Sequence, residues 1–358
     1  FLEIGKSMVV RAVIMTIGYL MANSTMDFIG TAQPGIVSKI AGADNKARDV
    51  LMARKWQGGS ASKIVGGFIV VPLVTLLGAN NKRLGFLLTQ GVFTIVVMIG
   101  SVILVKKAEP FDPDNRKEAV EQSEPVRFIE MLKAVFTNRL AIPVVLSDVV
   151  RFTGYYVLAT LMVYQCNSVI GSLMAMSYVL SASSFFALLG NTIAPSICAK
   201  LGGRKKTVTV FGVLTGLAYA TIGIFGKTTW GFVITCSIAF FFMSFLDTVA
   251  MNLYLDAGEY WLQKTGKDTR PYLLSMYSVA VKAAMALSSI VLGVVLKVIH
   301  YEAGVMLEGS AATTLTMITG LAPATGYLLP LLLMLIHNVS DQEMEKIIKE
   351  NAEKYETK

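Results

Sequence analysis

The chain has few cysteines, few histidines and few charged side chains for its 358 residues. The three cysteines, Cys166, Cys198 and Cys236, are scattered in or beside apolar runs, so their spacing predicts neither a disulfide framework nor a metal site. The two histidines, His300 and His337, stand near the ends of apolar runs. The sequence therefore lacks the histidines inside the spans that a histidine-based intramembrane enzyme would need. No glycine-rich phosphate loop follows a strand-like segment, so the sequence predicts neither an enzyme nor a bound cofactor.

Charged residues are scarce and unevenly placed. They make up 16% of the chain, against about 25% in an average soluble domain, while 54% of the residues are hydrophobic. About twenty apolar residues cross a bilayer core as a helix, so long apolar runs between short charged clusters predict membrane spans. The nine predicted spans cover residues 8–33, 57–78, 84–105, 140–164, 168–198, 207–226, 229–255, 272–298 and 312–336. The sequence therefore predicts an all-α, polytopic integral membrane protein.

The basic side chains, which give the chain a net charge of +8, stand at the ends of the apolar runs. This placement indicates that the basic residues orient the spans in a lipid bilayer. It argues against nucleic acid as a partner. Lysines and arginines concentrate in alternate loops. The positive-inside rule then places the loops after the first, third, fifth and seventh spans, and the C-terminus, in the cytoplasm. We expect a monomer in a bacterial inner membrane.

The longest connection, residues 106–139, divides the predicted spans into three and six. Its first half is acidic and proline-rich, as in a linker, and its second half, from Pro125 to about Phe136, predicts an amphipathic helix at the membrane surface. In the tail, the capping-box spacing of Ser340 and Glu343 predicts a short helix. The predicted parts are a partial helix bundle over 1–105, the middle loop over 106–139, a six-helix bundle over 140–336 and a tail over 337–358.

A weak internal repeat supports the same division. Asp27 is followed 21 residues later by Arg48, and Asp247 is followed 23 residues later by Arg270. Parallel repeats of six spans are typical of one large class of transporters. If the repeat is real, the first half of the protein lacks the three spans that would precede the first predicted span. The chain also begins with Phe1 rather than Met, so we expect the start of the protein to be absent.

Charged side chains also occur inside the predicted spans, where each costs roughly 2.5–3.5 kcal/mol to insert. Asp27 shares a helix face with Asn23 and Thr31, which lie four residues before and after it. Carboxylate, amide and hydroxyl oxygens together suit a sodium ion or a carried proton. Asp27 is therefore a candidate for binding the substrate or the coupling cation, with Na+ as a candidate metal. The alternative is a structural ion pair with a basic residue elsewhere.

Asp148 and Arg151 are three residues apart in the fourth predicted span, and Tyr155 lies one turn further. This spacing places the acid and the base on one helix face, where they can pair directly. Two interpretations stay open. The pair is structural and neutralises itself, or Arg151 binds an anionic or hydroxyl-rich substrate while Asp148 holds the arginine in place.

Lysines inside the spans have the same two interpretations. Lys282 shares a helix face with three serines, Ser275, Ser278 and Ser289. Such a lysine competes with a coupling cation by pairing with a carboxylate, or it forms a structural ion pair. The sequence does not decide between a functional and a structural role for Lys63, which stands among glycines. The same two roles stay open for Asp247.

An acidic run follows the seventh predicted span. Residues 256–260 read Asp-Ala-Gly-Glu-Tyr, and Arg270 lies beyond them. Asp256 and Glu259 at a helix end, close to basic loops, can form an ion-pair network that locks one face of a transporter. Breaking and remaking such pairs would act as a gate. The alternative is a solvated loop.

Several of these segments resemble one transporter family. The run 256–260, followed by Arg270 and then Lys282 on the next span, resembles the glycoside–pentoside–hexuronide:cation symporters. The segment 128–139, which reads FIEMLKAVFTNR, is similar to the middle-loop helix of that family. Asp27 with its preceding methionine resembles the family's fourth span. The short basic turn 203–206 resembles that of the wider major facilitator superfamily.

The resemblance implies twelve spans in two six-helix bundles, of which nine are present, with alternating access to a central site. It implies symport of a sugar, glycoside or hexuronide with Na+ or H+ and no cofactor. Asp27 corresponds to a substrate and cation carboxylate. Lys282 corresponds to a lysine of the eleventh span, and Arg54 corresponds approximately to an arginine at the start of the fifth.

The chain departs from the sugar-binding members at two aromatic positions. Thr31, and a residue near Ser244, stand where those members have aromatic side chains. This difference argues against a melibiose-like substrate, whereas Arg151 leaves room for an acidic sugar. A lipid or lysolipid transporter on the same scaffold is the alternative, and the apolar stripe 240–242 is compatible with it. A membrane receptor or enzyme would need a sensing domain or a catalytic constellation, and the sequence offers neither.

Overall fold

A computed structural model of the chain describes residues 44–78, 81–111, 135–172, 174–302, 305–336 and 339–356, together with scattered positions before residue 44 and at 129. Within these residues the regular secondary structure is helical, and no strand occurs. Asp27 with its polar neighbours Asn23 and Thr31, and most of the predicted amphipathic helix 125–136, lie outside the described residues.

The described chain is organised as successive helices joined by short connections. The helices are α1 (Asn45–Gly78), α2 (Lys82–Ala108), α3 (Ala141–Tyr164), α4 (Met174–Leu201), α5 (Arg204–Ala220), α6 (Ile222–Phe225), α7 (Thr229–Thr265), α8 (Arg270–Val298), α9 (Gly309–Ile336) and α10 (Asp341–Asn351). Short helical turns at Glu109–Phe111, Gln165–Val169 and Ala352–Glu356 follow α2, α3 and α10.

Seven helical segments within the described residues are long and apolar enough to cross a membrane. They are 84–108, 141–169, 174–201, 204–225, 229–265, 270–298 and 309–335. The all-α, polytopic membrane fold is thereby confirmed. The predicted span 8–33 falls mostly outside the described residues, and 57–78 lies in α1, where some side chains are not described. The count of nine spans stays a prediction.

The clearest difference from the predicted bounds is at the end of α7. The apolar pattern predicts an end at 255, but the helix continues to Thr265. Its last turns include buried polar side chains such as Asp256 and Glu259, which are held by ion pairs rather than by apolar contacts. Gly266 then ends the helix in the left-handed conformation, with φ of 73°.

The tail forms a helix with the predicted N-terminal cap. Ser340 accepts a hydrogen bond through its hydroxyl oxygen from the backbone N–H of Glu343 at 3.2 Å. The apolar side chains of α10, Met344, Ile347 and Ile348, are buried. They belong to one hydrophobic cluster with Leu140 of the segment before α3 and Leu273 of α8.

The chain divides into two compact units, residues 1–42 with 62–125 and residues 43–61 with 126–358. In the first, a Cβ on Gly78 would lie only 2.8 Å from the Cα of Gly85, so α1 and α2 approach closely there. In the second, α7 packs against α4 and α5, α9 packs against α3 and α5, and α8 packs against α3. Its core includes the buried rings of Tyr219 and Phe245.

Gly154 sets the distance between α3 and α9. A Cβ at this position would lie 2.9 Å from the Cα of Gly326 and 3.0 Å from the Cα of Pro323. Small residues let membrane helices approach in this way. We expect Gly154→Val to force the helices apart, to destabilise the protein by about 1–3 kcal/mol and to lower the melting temperature in detergent.

Gly293→Val on α8 is the matched control for Gly154→Val. A Cβ on Gly293 would have no neighbour within 4 Å among the atoms that the structure describes. The same substitution there is expected to leave the melting temperature close to that of the wild type. Equal melting temperatures for the two variants would show that the α3–α9 contact does not depend on Gly154.

Candidate functional site

Four polar side chains meet inside the apolar part of the larger unit. Asp148 and Arg151 belong to α3, and Asp247 and Tyr254 belong to α7. We call these four residues the mid-span cluster. Close to the cluster, Asn138 links the start of α3 to α7. Its side-chain oxygen accepts from the backbone N–H of Leu140 at 3.0 Å, and its amide nitrogen donates to the carbonyl of Ala257 at 2.8 Å.

Arg151 is the centre of the mid-span cluster. Its Nε donates to Oδ1 of Asp148 at 3.0 Å, and its Nη1 donates to Oδ1 of Asp247 at 3.0 Å. The Tyr254 hydroxyl donates to the second oxygen of Asp148, also at 3.0 Å. Nη2 of Arg151 lies 3.0 Å from Asp148 but has no aligned hydrogen-bond acceptor. The structure thus shows the pairing expected from the Asp148–Arg151 spacing and adds a carboxylate from a second helix.

The mid-span cluster is nearly closed to solvent, but unequally so. The side chains of Asp148 and Arg151 are 7% and 8% exposed, whereas that of Asp247 is 15% exposed. Charges in such a setting interact far more strongly than at a surface, because the local dielectric constant is low. Asp247 is therefore the member of the cluster that is most accessible to an incoming group.

Aromatic rings form walls beside these charges. The Arg151 guanidinium lies 4.4 Å from the centre of the Phe152 ring, within cation–π range. Tyr277 of α8 meets Phe152 edge-on at 5.3 Å and Tyr254 at 6.1 Å. Tyr155 lies one turn along α3 and packs against Tyr156 and Phe240. Hydrogen-bonding groups beside flat apolar faces are the combination that a sugar ring requires.

A second group of charges lies at the end of the larger unit where α10 packs. We call it the end network, and it consists of Arg48, Asp49, Arg204, Asp256, Glu259 and Arg270. Nε of Arg204 binds Asp49 of α1 at 3.1 Å, and its Nη1 binds Asp256 of α7. The side-chain amide of Asn252 also donates to Asp49. One arginine thus links α5 to α1 and to α7.

Glu259 is the other centre of the end network. Its Oε1 lies 3.0 Å from Nη1 of Arg270 and 3.8 Å from Nη2 of Arg48. The side-chain amide of Asn351, on α10, donates to both the carbonyl and Oε2 of Glu259 at 2.9 Å. In addition, the backbone N–H of Arg204 donates to Asp341 of α10 at 3.0 Å. The tail helix therefore contacts both centres of the network.

The run 256–260 is not a solvated loop. It lies within α7, where Asp256 is 4% exposed and Glu259 is 2% exposed. The alternative interpretation of this run as a solvated loop is wrong, because the acids turn inward to arginines supplied by other helices. A cavity of about 410 Å³ borders the network and is lined by Asp49, Arg204, Asp256 and Asp341 among others.

Burial perturbs the part of the end network that α1 supplies. Burial raises the pKa of the Asp49 carboxyl above its ordinary value, although the charge of Arg204 acts in the opposite direction. Burial likewise lowers the pKa of the Arg48 guanidinium, although Glu259 opposes this shift. Each charged group thus depends on its partners, so removing one partner leaves a buried charge without compensation.

Three further candidate residues of the sequence lie on α1 and α8. Arg54 is exposed on α1, and its Nη1 donates to the side-chain oxygen of Gln57 at 3.0 Å. Lys282 is half-buried on α8, and Lys63 is exposed. Within the described part of the chain, no group of three or more His, Cys, Asp or Glu side chains is placed to hold a metal ion.

Comparison with known proteins gives consistent similarities. A family model described as MFS/sugar transport protein matches residues 1–341. The chain is 22% identical over 347 residues to an uncharacterized symporter of Bacillus subtilis, with 94% of this chain and 71% of that protein covered. It is 21% identical over 286 residues to a Salmonella typhimurium protein named "Putative sulfoquinovose importer", with 79% of this chain and 59% of that protein covered.

Proposed function

Because this chain belongs to the MFS/sugar transport family, whose members are transporters rather than enzymes, we propose that it carries a sugar, glycoside or hexuronide together with a coupling cation, H+ or Na+. The chain is an integral membrane protein. In this proposal it resides in a bacterial inner membrane with its C-terminus in the cytoplasm, and it moves its substrate by alternating access.

The mid-span cluster is the observation that carries the proposal. A buried arginine held by carboxylates from two helices, with tyrosine and phenylalanine rings beside it, offers both the polar and the apolar contacts of a sugar site. We assign substrate binding to Asp148, Arg151 and Tyr155. Arg151 favours an acidic sugar, since a guanidinium binds carboxylate and sulfonate groups through paired hydrogen bonds. The printed name of the Salmonella relative, "Putative sulfoquinovose importer", is in line with an acidic sugar as the substrate.

The end network supplies the gate in this proposal. Its pairs join α1, α5, α7 and α8 at one end, and opening that end requires Arg204 and Glu259 to release their partners. Asp256, Glu259 and Arg270 are therefore gating residues. Asp27 and Lys282 are proposed to couple transport to the cation, and Arg54 to assist substrate binding, as the family resemblance implies.

The apolar stripe 240–242 gives little support to a lipid cargo. Phe241 meets Phe245 edge-on at 5.5 Å, and Phe242 lies 6.3 Å from Phe211. These rings pack onto the core of the larger unit rather than forming a separate groove. A lysolipid nevertheless serves as the comparison substrate in the experiment below.

Uptake by the full-length protein in proteoliposomes tests the proposal. A panel of labelled glycosides, uronides and one lysolipid would be offered under imposed H+ or Na+ gradients. We expect one gradient to drive accumulation of an acidic sugar and expect Asp27→Asn to abolish it. Uptake of the lysolipid alone, or sugar uptake that neither gradient accelerates, would contradict cation-coupled sugar transport.

A further inference from the structure

Tyr254 is connected to the guanidinium of Arg151 through Asp148. The Tyr254 hydroxyl donates to Oδ2 of Asp148 at 3.0 Å, and Oδ1 of the same carboxylate accepts from Nε of Arg151 at 3.0 Å. Hydroxyl, carboxylate and guanidinium therefore form a continuous series of hydrogen bonds between α7 and α3. We call these three residues the positioning triad. Asp247 is not part of it and accepts separately from Nη1 of Arg151.

Aromatic packing holds both ends of the positioning triad. Tyr254 is 0% exposed, and Tyr277 of α8 meets its ring edge-on at 6.1 Å. At the other end, the Arg151 guanidinium lies 4.4 Å from the centre of the Phe152 ring, within cation–π range. A tyrosine that is packed on all sides keeps one side-chain conformation. Its hydroxyl therefore fixes where the carboxylate of Asp148 can lie.

The two contacts of Asp148 together set the plane of its carboxylate. A carboxylate held by one oxygen can turn about the bond to its β carbon, whereas Tyr254 and Arg151 hold one oxygen each. The guanidinium is planar and its N–H groups point in fixed directions, so its orientation follows that of the acceptor at Nε. Among the described residues, Nη2 has no aligned acceptor. The positioning triad thus directs the part of the guanidinium that is left for a ligand.

We propose that Tyr254 is a positioning residue for the acidic group of the substrate, acting on Arg151 through Asp148. A carboxylate or sulfonate gains most from a guanidinium when the N–H groups point at its oxygens, because hydrogen bonds weaken steeply when they are misaligned. A neutral sugar has no anionic group, so its binding depends far less on this orientation. Tyr254 thereby contributes to the selection of acidic over neutral sugars. This inference rests on the proposed sugar transport.

Tyr254→Phe in the full-length protein tests the inference, because it removes the hydroxyl and keeps the ring. The probes are methyl glucuronide and methyl glucoside, which differ only at the acidic group. We expect the Kd for methyl glucuronide to rise about tenfold and the Kd for methyl glucoside to keep its wild-type value. A purely structural role would weaken the binding of both sugars alike or lower only the melting temperature, and either result would contradict the inference.

Tyr219→Phe is the matched control. Tyr219 is also 0% exposed, but its hydroxyl donates to Sδ of Met243 at 3.7 Å rather than to a carboxylate. Removing this hydroxyl should leave both Kd values unchanged. If the Kd for methyl glucuronide rose as much as in Tyr254→Phe, the loss of any buried hydroxyl would be sufficient, and the specific role of Tyr254 would be wrong.

A double-mutant cycle tests whether Tyr254 acts through Asp148. In Asp148→Asn the acceptor at Nε loses its charge, so Tyr254 can no longer orient Arg151 through it. Adding Tyr254→Phe to Asp148→Asn should therefore change the Kd for methyl glucuronide by less than about twofold. Additive effects of the two substitutions would show that Tyr254 acts by another route.

Arg151→Lys gives a test that does not depend on the folding of a Tyr254 variant. It keeps the positive charge but replaces the planar fork by a compact ammonium, which Asp148 cannot orient in the same way. We expect the Kd for methyl glucuronide to rise about tenfold or more. A wild-type Kd in Arg151→Lys would overturn the positioning role and leave sugar transport intact. Failure of the wild type to bind any acidic sugar would overturn the proposed substrate as well.

Discussion

Arg151→Ala should abolish the binding of acidic sugars and strongly destabilise the protein. The substitution removes the only charge that opposes Asp148 and Asp247 within the mid-span cluster. Removing one partner of a buried ion pair costs about 3–5 kcal/mol, because the other charge stays buried without compensation. Loss of two charge-assisted hydrogen bonds to the substrate should lower affinity about 100-fold or more. Calorimetric Kd values and melting temperatures in detergent measure the two effects.

A variant without the charges of the mid-span cluster separates the effect of Arg151 on stability from its effect on substrate binding. The triple variant Arg151→Met, Asp148→Asn and Asp247→Asn removes all three charges of the cluster together. Replacing a buried ion group as a whole is often neutral or stabilising. We therefore expect the melting temperature to recover while acidic-sugar binding stays lost.

Lys349→Ala on α10 is the surface control for Arg151→Ala. Lys349 pairs with Glu345, and both side chains are largely exposed, at 66% and 59%. Exposed pairs contribute little to stability, so neither the melting temperature nor the Kd should change. An Arg151→Ala protein that bound methyl glucuronide with the wild-type Kd would show that the substrate site lies elsewhere in the molecule.

The sequence predicts the mid-span cluster only in part, for a physical reason. Asp148 and Arg151 are three residues apart on one helix, so their contact follows from helix geometry alone. The contacts of Arg151 with Asp247, and of Asp148 with Tyr254, depend on the register of α3 against α7. Asn138 links the start of α3 to α7 through a contact with Ala257, 119 residues away. A local sequence pattern cannot predict a contact between residues so far apart. The sequence does predict that Tyr254 and Asp247 share one face of α7, because they are two helical turns apart.

In the end network, too, the sequence predicts contacts between residues close in the chain but not contacts between distant segments. The acidic run 256–260 and Arg270 are separated by one helix end, so the pair of Glu259 with Arg270 could be expected. The contacts of Arg204 with Asp49, and of Asn351 with Glu259, join segments 155 and 92 residues apart. The apolar pattern also places the end of α7 ten residues too early, because ion pairs formed with other helices stabilise its last turns.

The two arginines of the weak internal repeat meet at one carboxylate in the structure. Arg48 and Arg270 occupy corresponding positions in the repeat, and both approach the same oxygen of Glu259, at 3.8 and 3.0 Å. The sequence can indicate that the two arginines correspond, but it does not show that one carboxylate serves both. Glu259 therefore has a greater role than its position at the end of an apolar run suggests.

Glu259→Gln tests that role, since it preserves the shape of the side chain and removes its charge. Arg48, which is 2% exposed, would lose the carboxylate that compensates it. Arg270 would keep its contact with Asp268. We expect a loss of stability of about 3–5 kcal/mol and a shift of the end network toward its open form. Melting temperature and backbone hydrogen exchange of α10 would measure these changes.

Hydrogen exchange in α10 is informative because Asn351 binds both the carbonyl and the carboxylate of Glu259. If the charge of Glu259 holds the tail helix against α7, exchange over residues 341–351 should become faster in Glu259→Gln. Glu345→Gln, which removes the charge of an exposed glutamate on α10 itself, should change neither the melting temperature nor the exchange rate. Slow exchange and wild-type stability in Glu259→Gln would mean that apolar packing of Met344, Ile347 and Ile348 closes this end, and that the buried charges do not act as a gate.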